Sequence, residues 1–132
     1  MTKTQPQSNS HKLLLEYRPI IWRKAALEAV PGAGCKALQT CIEQINLIQR
    51  LADVLRGNKL LGEKLYWIIF ASYMTERQPG DVVEILSDIA EKHGYIPRST
   101  YFRLRERAIR MMDEHLEELA VEKACSLNKN LG

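Results

Sequence analysis

Glycine and proline fall in four clusters, and these cut the chain into helix-length pieces. The breaks are Pro31-Gly32-Ala33-Gly34, Gly57 to Gly62, Pro79-Gly80 and Gly94-Tyr95-Ile96-Pro97. Between them apolar residues recur at steps of three and four. No segment sustains period-two alternation, and no Asn-Gly or Asp-Gly hairpin turn occurs. The pattern predicts an all-α chain, an N-terminal helical hairpin followed by a C-terminal three-helix unit. At 132 residues, 45% of them apolar, it can bury a core of its own without disulfides or metals.

The polar run Met1 to Ser10 predicts a disordered tail over 1–10, and Ser126 to Gly132 a second one, with the flexible C-terminal region placed at 124–132. The hairpin is assigned to 11–58. Its first arm, about His11 to Val30, is apolar on most faces, and Pro19 is expected to kink it or start a new helix. Its second arm, about Cys35 to Arg56, carries Leu38, Cys41/Ile42, Ile45, Ile48, Ala52 and Leu55 as a coiled-coil-like seam. That seam suits packing within the hairpin and also permits a homodimer. Gln39, Glu43, Gln44, Asn46, Gln49, Arg50 and Asp53 make the polar opposite face.

The third helix, about Leu60 to Glu76, is rich in aromatics and is expected to be buried on more than one side. The fourth, about Val82 to His93, opens with a capping box, Asp81-Val82-Val83-Glu84, and closes at Gly94, where a left-handed cap belongs. Val82, Leu86, Ile89, Ala90 and His93 are read as its inner face. The fifth begins after Pro97 and is expected to reach Lys123, with Tyr101, Leu104, Ala108 and Met111 facing inward.

Charge is concentrated on this last helix. From Tyr95 to Arg110, five arginines face one glutamate; from Met111 onward, five acids face two lysines. A helix stabilising itself places acids at its start and bases at its end, so the reversed order points to an anionic partner at the N-terminal half. At about 100° per residue, Ser99, Arg103, Arg107 and Arg110 share the face away from Tyr101, Leu104 and Ala108. Guanidinium forks there can hold phosphate or the acceptor edge of guanine, and Ser99 and Thr100 near the helix start can contact either. The candidate DNA-binding set is Arg98, Ser99, Thr100, Arg103, Arg107 and Arg110. Phe102, also off the inner face, is expected to pack rather than touch a thymine methyl.

The join between helices four and five carries a second signal. In a helix-turn-helix a small residue lets two helices approach and a glycine four positions later makes the turn, as in Ala90-Glu91-Lys92-His93-Gly94, with Ile96 plugging the core beneath. From Gly94 to Tyr101 the spacing is one residue longer than usual, and Pro97 stands where a Ser or Thr cap is common. The aromatic E-K-L-Y-W-I-I-F-A-S-Y (Glu63 to Tyr73) and I-P-R-S-T-Y-F-R-L-R-E-R-A (Ile96 to Ala108) complete the pattern. Leu60 to Leu119 resembles the fourth-region helix-turn-helix of bacterial sigma factors, and more narrowly the small phage regulators of the ArpU/RinA type. That resemblance implies a sequence-specific, double-stranded-DNA-binding transcriptional regulator of phage or prophage genes, with 59–123 as the DNA-binding domain. The alternatives are a phage small terminase subunit and an interaction module contacting RNA polymerase through Asp113 to Glu122.

Other chemistries find little here. Cys35, Cys41 and Cys125 include no C-x-x-C pair and no histidine at ligand spacing, so neither a disulfide framework nor a metal site is expected, and a cytoplasmic setting is. The longest apolar stretch, Leu65 to Met74, is about half of a membrane span. His11, His93 and His115 have no triad partner, His93 being read as a helix-end cap. The glycines at 32 and 34 lack the Lys-Ser/Thr pair of a phosphate loop. No enzyme activity, catalytic residue or cofactor is expected.

Overall fold

The computed structural model describes residues 8–30, 32 and 35–131; residues 1–7, most of the Pro31–Gly34 break and Gly132 lie outside the described residues. Every regular element among the described residues is helical: α1 (Asn9–Ala29), α2 (Cys35–Val54), α3 (Gly62–Ile69), α4 (Val82–His93) and α5 (Arg98–Leu131). Short 3-10 (Leu55–Gly57) and π (Phe70–Met74) turns extend α2 and α3.

Helix α1 packs along α2. The seam of α2 is largely consumed in doing so. Cys41, Ile45, Ile48, Ala52 and Leu55 are buried within the chain, joined by Leu51, while Leu38 and Ile42 are half-buried, so most of this surface is not open to a second copy. Pro19 neither ends α1 nor starts another helix; it stands on the exposed face, where water can satisfy the carbonyl left without a donor. The described end of the N-terminal tail is also ordered. Ser8 caps α1, its Oγ accepting from the His11 amide (3.1 Å) while donating to the Asp113 carboxylate (2.7 and 2.8 Å), and the Ser10 amide donates to the same carboxylate (2.9 Å). This clasp joins residues 105 apart in sequence. Arg18 adds a tie on the other side, donating to the Thr75 carbonyl and hydroxyl, both at 2.9 Å.

The turn into α3 is tight. Asn58 Oδ1 accepts from the Leu60 and Leu61 amides (3.1 and 3.0 Å), and α3 starts so close to the preceding turn that a Cβ on Gly62 would sit 2.7 Å from the Arg56 carbonyl oxygen. Leu65, Ile68 and Ile69, with Ala71 to Met74, are buried, so this element lies at the centre of the core. Ser72 donates to the Ile68 carbonyl (2.6 Å), so the Tyr101 hydroxyl must be the donor in its own 2.6 Å bond to Ser72 Oγ. That buried bond fixes α5 against the π turn.

In α4 the bounds and the Asp81 cap are as predicted, Asp81 Oδ1 accepting from the Glu84 amide at 2.9 Å. The reciprocal half differs: Glu84 reaches one residue further, to the Gly80 amide (2.6 Å). The inner face is rotated too. Ile85 and Ile89 are buried and Val82 and Leu86 partly so, whereas Ala90 and His93 are exposed. The reason is tertiary: α4 packs on α3 and the π turn, and α5 packs chiefly on α3, α1 and α2, so no close α4–α5 approach turns Ala90 inward. His93 is no cap; its ring stacks on Trp67, centroids 4.3 Å apart. Gly94 has a positive φ of 97° but an extended ψ of 159°, which sends the chain outward rather than into a left-handed cap. Ile96 is buried, as a plug should be.

α5 continues to Leu131, past Lys123 and through the segment expected to be flexible. Tyr101, Leu104 and Ala108 face inward as read, but Met112, fully buried, replaces Met111, which is half-buried.

Candidate nucleic-acid interface

The first helical bond of α5 is made by the Pro97 carbonyl, which accepts from the Tyr101 amide (2.9 Å); the proline supplies the start without a side-chain cap. With Tyr101, Leu104 and Ala108 anchored, the helical repeat turns Arg103, Arg107 and Arg110 outward, and all three are exposed. They span about 10 Å along the axis. They are not alone. The start of α3 lies beside this face, and together the two helices bound an open groove of about 630 Å³ lined by Leu61, Lys64, Thr100, Arg103, Leu104, Glu106, Arg107 and Arg110.

The predicted residues therefore divide. Thr100, Arg103, Arg107 and Arg110 come together in the groove; Ser99 is exposed at the helix start but does not line it. Arg98 is elsewhere. It borders a separate depression with Val83, Leu86, Ala90 and Tyr95, and its guanidinium lies 5.6 Å from the centre of the Phe102 ring. Arg105 covers the same ring at 5.1 Å and Tyr101 at 5.6 Å. Phe102 thus packs, half-buried, edge-on against Tyr101 and under two arginines, rather than standing free. Two of the five cations are bound to aromatics, and three face the groove.

Lys64 is the groove residue that sequence reasoning missed. Its neighbours in the chain are unremarkable, and only the packing of α3 on α5 brings it beside the arginines. It also lines a second open groove, about 650 Å³, on the other side of the α3 start, together with Arg56, Lys59, Trp67 and His93. The acid at that spot, Glu63, is already engaged by Arg56 (3.4 Å) and by the Trp67 indole N–H (3.2 Å). Lys64 thus joins the arginine groove to a second one that also carries Arg56 and Lys59. Glu106 is the one carboxylate lining the arginine groove. No cluster of metal-binding side chains occurs among the described residues, and no described helix is long and apolar enough to cross a membrane.

No family model, curated protein or solved structure matches the chain.

Proposed function

We propose that this chain is a double-stranded-DNA-binding protein whose α5 lies in the major groove. More narrowly, on the resemblance of Leu60 to Leu119, it is a transcriptional regulator of the ArpU/RinA type. The observation that carries the reading is the arginine groove: Arg103, Arg107 and Arg110 exposed on one face, with Lys64 beside them and a single facing acid. Arginine forks read guanine edges, and lysine and threonine hold phosphates. Ser99 and Thr100 fix the entry of the helix. Arg98, drawn toward Phe102, supports the recognition helix from behind instead of reading bases.

A fluorescence-anisotropy titration against fragments of the source genome, with random duplex as control, tests this. A fragment bound at least ~10³-fold tighter than random duplex establishes a specific regulator. Equal binding to every fragment, lost steeply with salt, leaves only electrostatic attraction and refutes the regulator. A second reading, an interaction module for RNA polymerase, draws on the exposed acids Glu114, Glu117, Glu118 and Glu122 of α5. It predicts tight polymerase binding that survives loss of the arginines.

A further inference from the structure

The core face of α1 is made by Leu14, Tyr17 and Ile20. On a surface helix the opposite face should be polar. Here it is apolar from Leu15 onward. Leu15, Pro19, Trp22, Ala26 and Ala29 follow one another at steps of four and three and are all exposed, Leu15 at 54% and Trp22 at 57%, with Val30 beside them at 55%. That is the spacing of a seam seated against another helix. Unlike the α2 seam, it faces no element among the described residues of its own chain.

We propose that this face binds a second copy of the chain, the two α1 helices running antiparallel about a two-fold axis. Size and charge both select this occupant. The register that sets Leu15 against Ala26 of the second copy also sets Trp22 against its Pro19, so large residues meet small or flat ones, and symmetry repeats each contact. Glu16 and Arg23 lie seven residues apart, hence at one rim of the stripe. Both are exposed, and neither has an ion-pair partner among the described residues, whereas the neighbouring Lys24 and Glu28 pair with each other. In the antiparallel register Glu16 of each copy approaches Arg23 of the other. A parallel arrangement brings Arg23 toward Arg18 instead, like against like. The stripe spans only about four turns of α1, so the dimer is expected to dissociate on dilution.

Sedimentation of the full chain, without DNA, over a wide concentration range tests the proposal independently of the DNA reading. The expected result is a monomer–dimer equilibrium that Trp22→Glu abolishes. Glu16→Arg and Arg23→Glu each weaken it several-fold, and the double variant Glu16→Arg/Arg23→Glu restores it. These side chains are exposed, so the far-UV spectrum of each variant, and its melting temperature at dilutions where the parent is monomeric, should match the parent. A parent that stays monomeric throughout, an oligomer indifferent to Trp22→Glu, or a double variant no better than the single ones overturns the proposal.

Discussion

The sharpest consequence of the groove concerns Lys64, because its membership depends on tertiary structure alone. If Lys64, Arg103, Arg107 and Arg110 each neutralise a phosphate, non-specific binding should weaken with salt at a log–log slope of roughly 3.6, taking about 0.9 per contact. Between 50 and 200 mM salt that slope corresponds to a loss of about 150-fold in affinity. Lys64→Ala should lower the slope to roughly 2.7, and the same change in salt then costs only about 40-fold. The ratio of specific to random duplex should stay the same, since a phosphate contact carries no sequence information. Anisotropy titrations on both duplexes at four or five salt concentrations measure the slope and the ratio together. Lys36→Ala is the control, a lysine exposed on α2 outside both grooves. A Lys64→Ala slope equal to that of the parent would refute the role assigned to the α3 start.

Three further outcomes follow from the packing. Gly62→Ala places a Cβ 2.7 Å from one backbone oxygen and 2.9 Å from another, which cannot swing aside as a side chain could; a loss of about 1–3 kcal/mol is expected, and an unchanged calorimetric melting temperature would contradict it. Met112→Ala should cost about 2–5 kcal/mol in a denaturant titration, and Met111→Ala clearly less because its side chain is only half-buried; equal losses would reject the assigned register. Partial burial works against ionised Asp113, but the bonds from Ser8 and Ser10, aided by His11, outweigh it and hold the carboxyl below its usual range. A depressed pKa in the folded state stabilises above the unfolded value and is lost as pH falls through the folded one. Asp113→Asn should therefore lower stability at neutral pH and converge with the parent under acid, and a constant difference down to the acid limit would exclude the clasp.

Local chemistry was readable from the residues. The breaks at Gly57 to Gly62, Pro79-Gly80 and Gly94 to Pro97, the bounds of α4, the Asp81 cap and the inward Tyr101, Leu104 and Ala108 all depend on neighbours within a turn or two. What escaped depends on distant partners. Ser8 is ordered because Asp113 lies opposite, and nothing in Met1 to Ser10 announces that. Met111 and Met112 are chemically identical, so only the tilt of α5 chooses between them. The steps through Ala90 match a helix-turn-helix, yet the choice of α3 as the packing partner of both later helices leaves that alanine outside. In the same way Arg98 shares its charge with Arg103 but is captured by Phe102.

The unbroken length of α5 has a consequence for how this molecule meets a charged partner. Its arginines and its acids are centred about 12 residues apart, roughly 18 Å along the helix axis. With Glu106, Lys123 and Lys129 offsetting part of that separation, these charges make an electric moment on the order of 200 debye, and the aligned peptides of a 34-residue helix add roughly 120 more in the same sense. In the field of a polyanion the protein is turned before it touches, so that it arrives with the start of α5 leading and the acidic end trailing away. Encounter with such a partner is thereby biased toward the orientation in which the start of α5 leads.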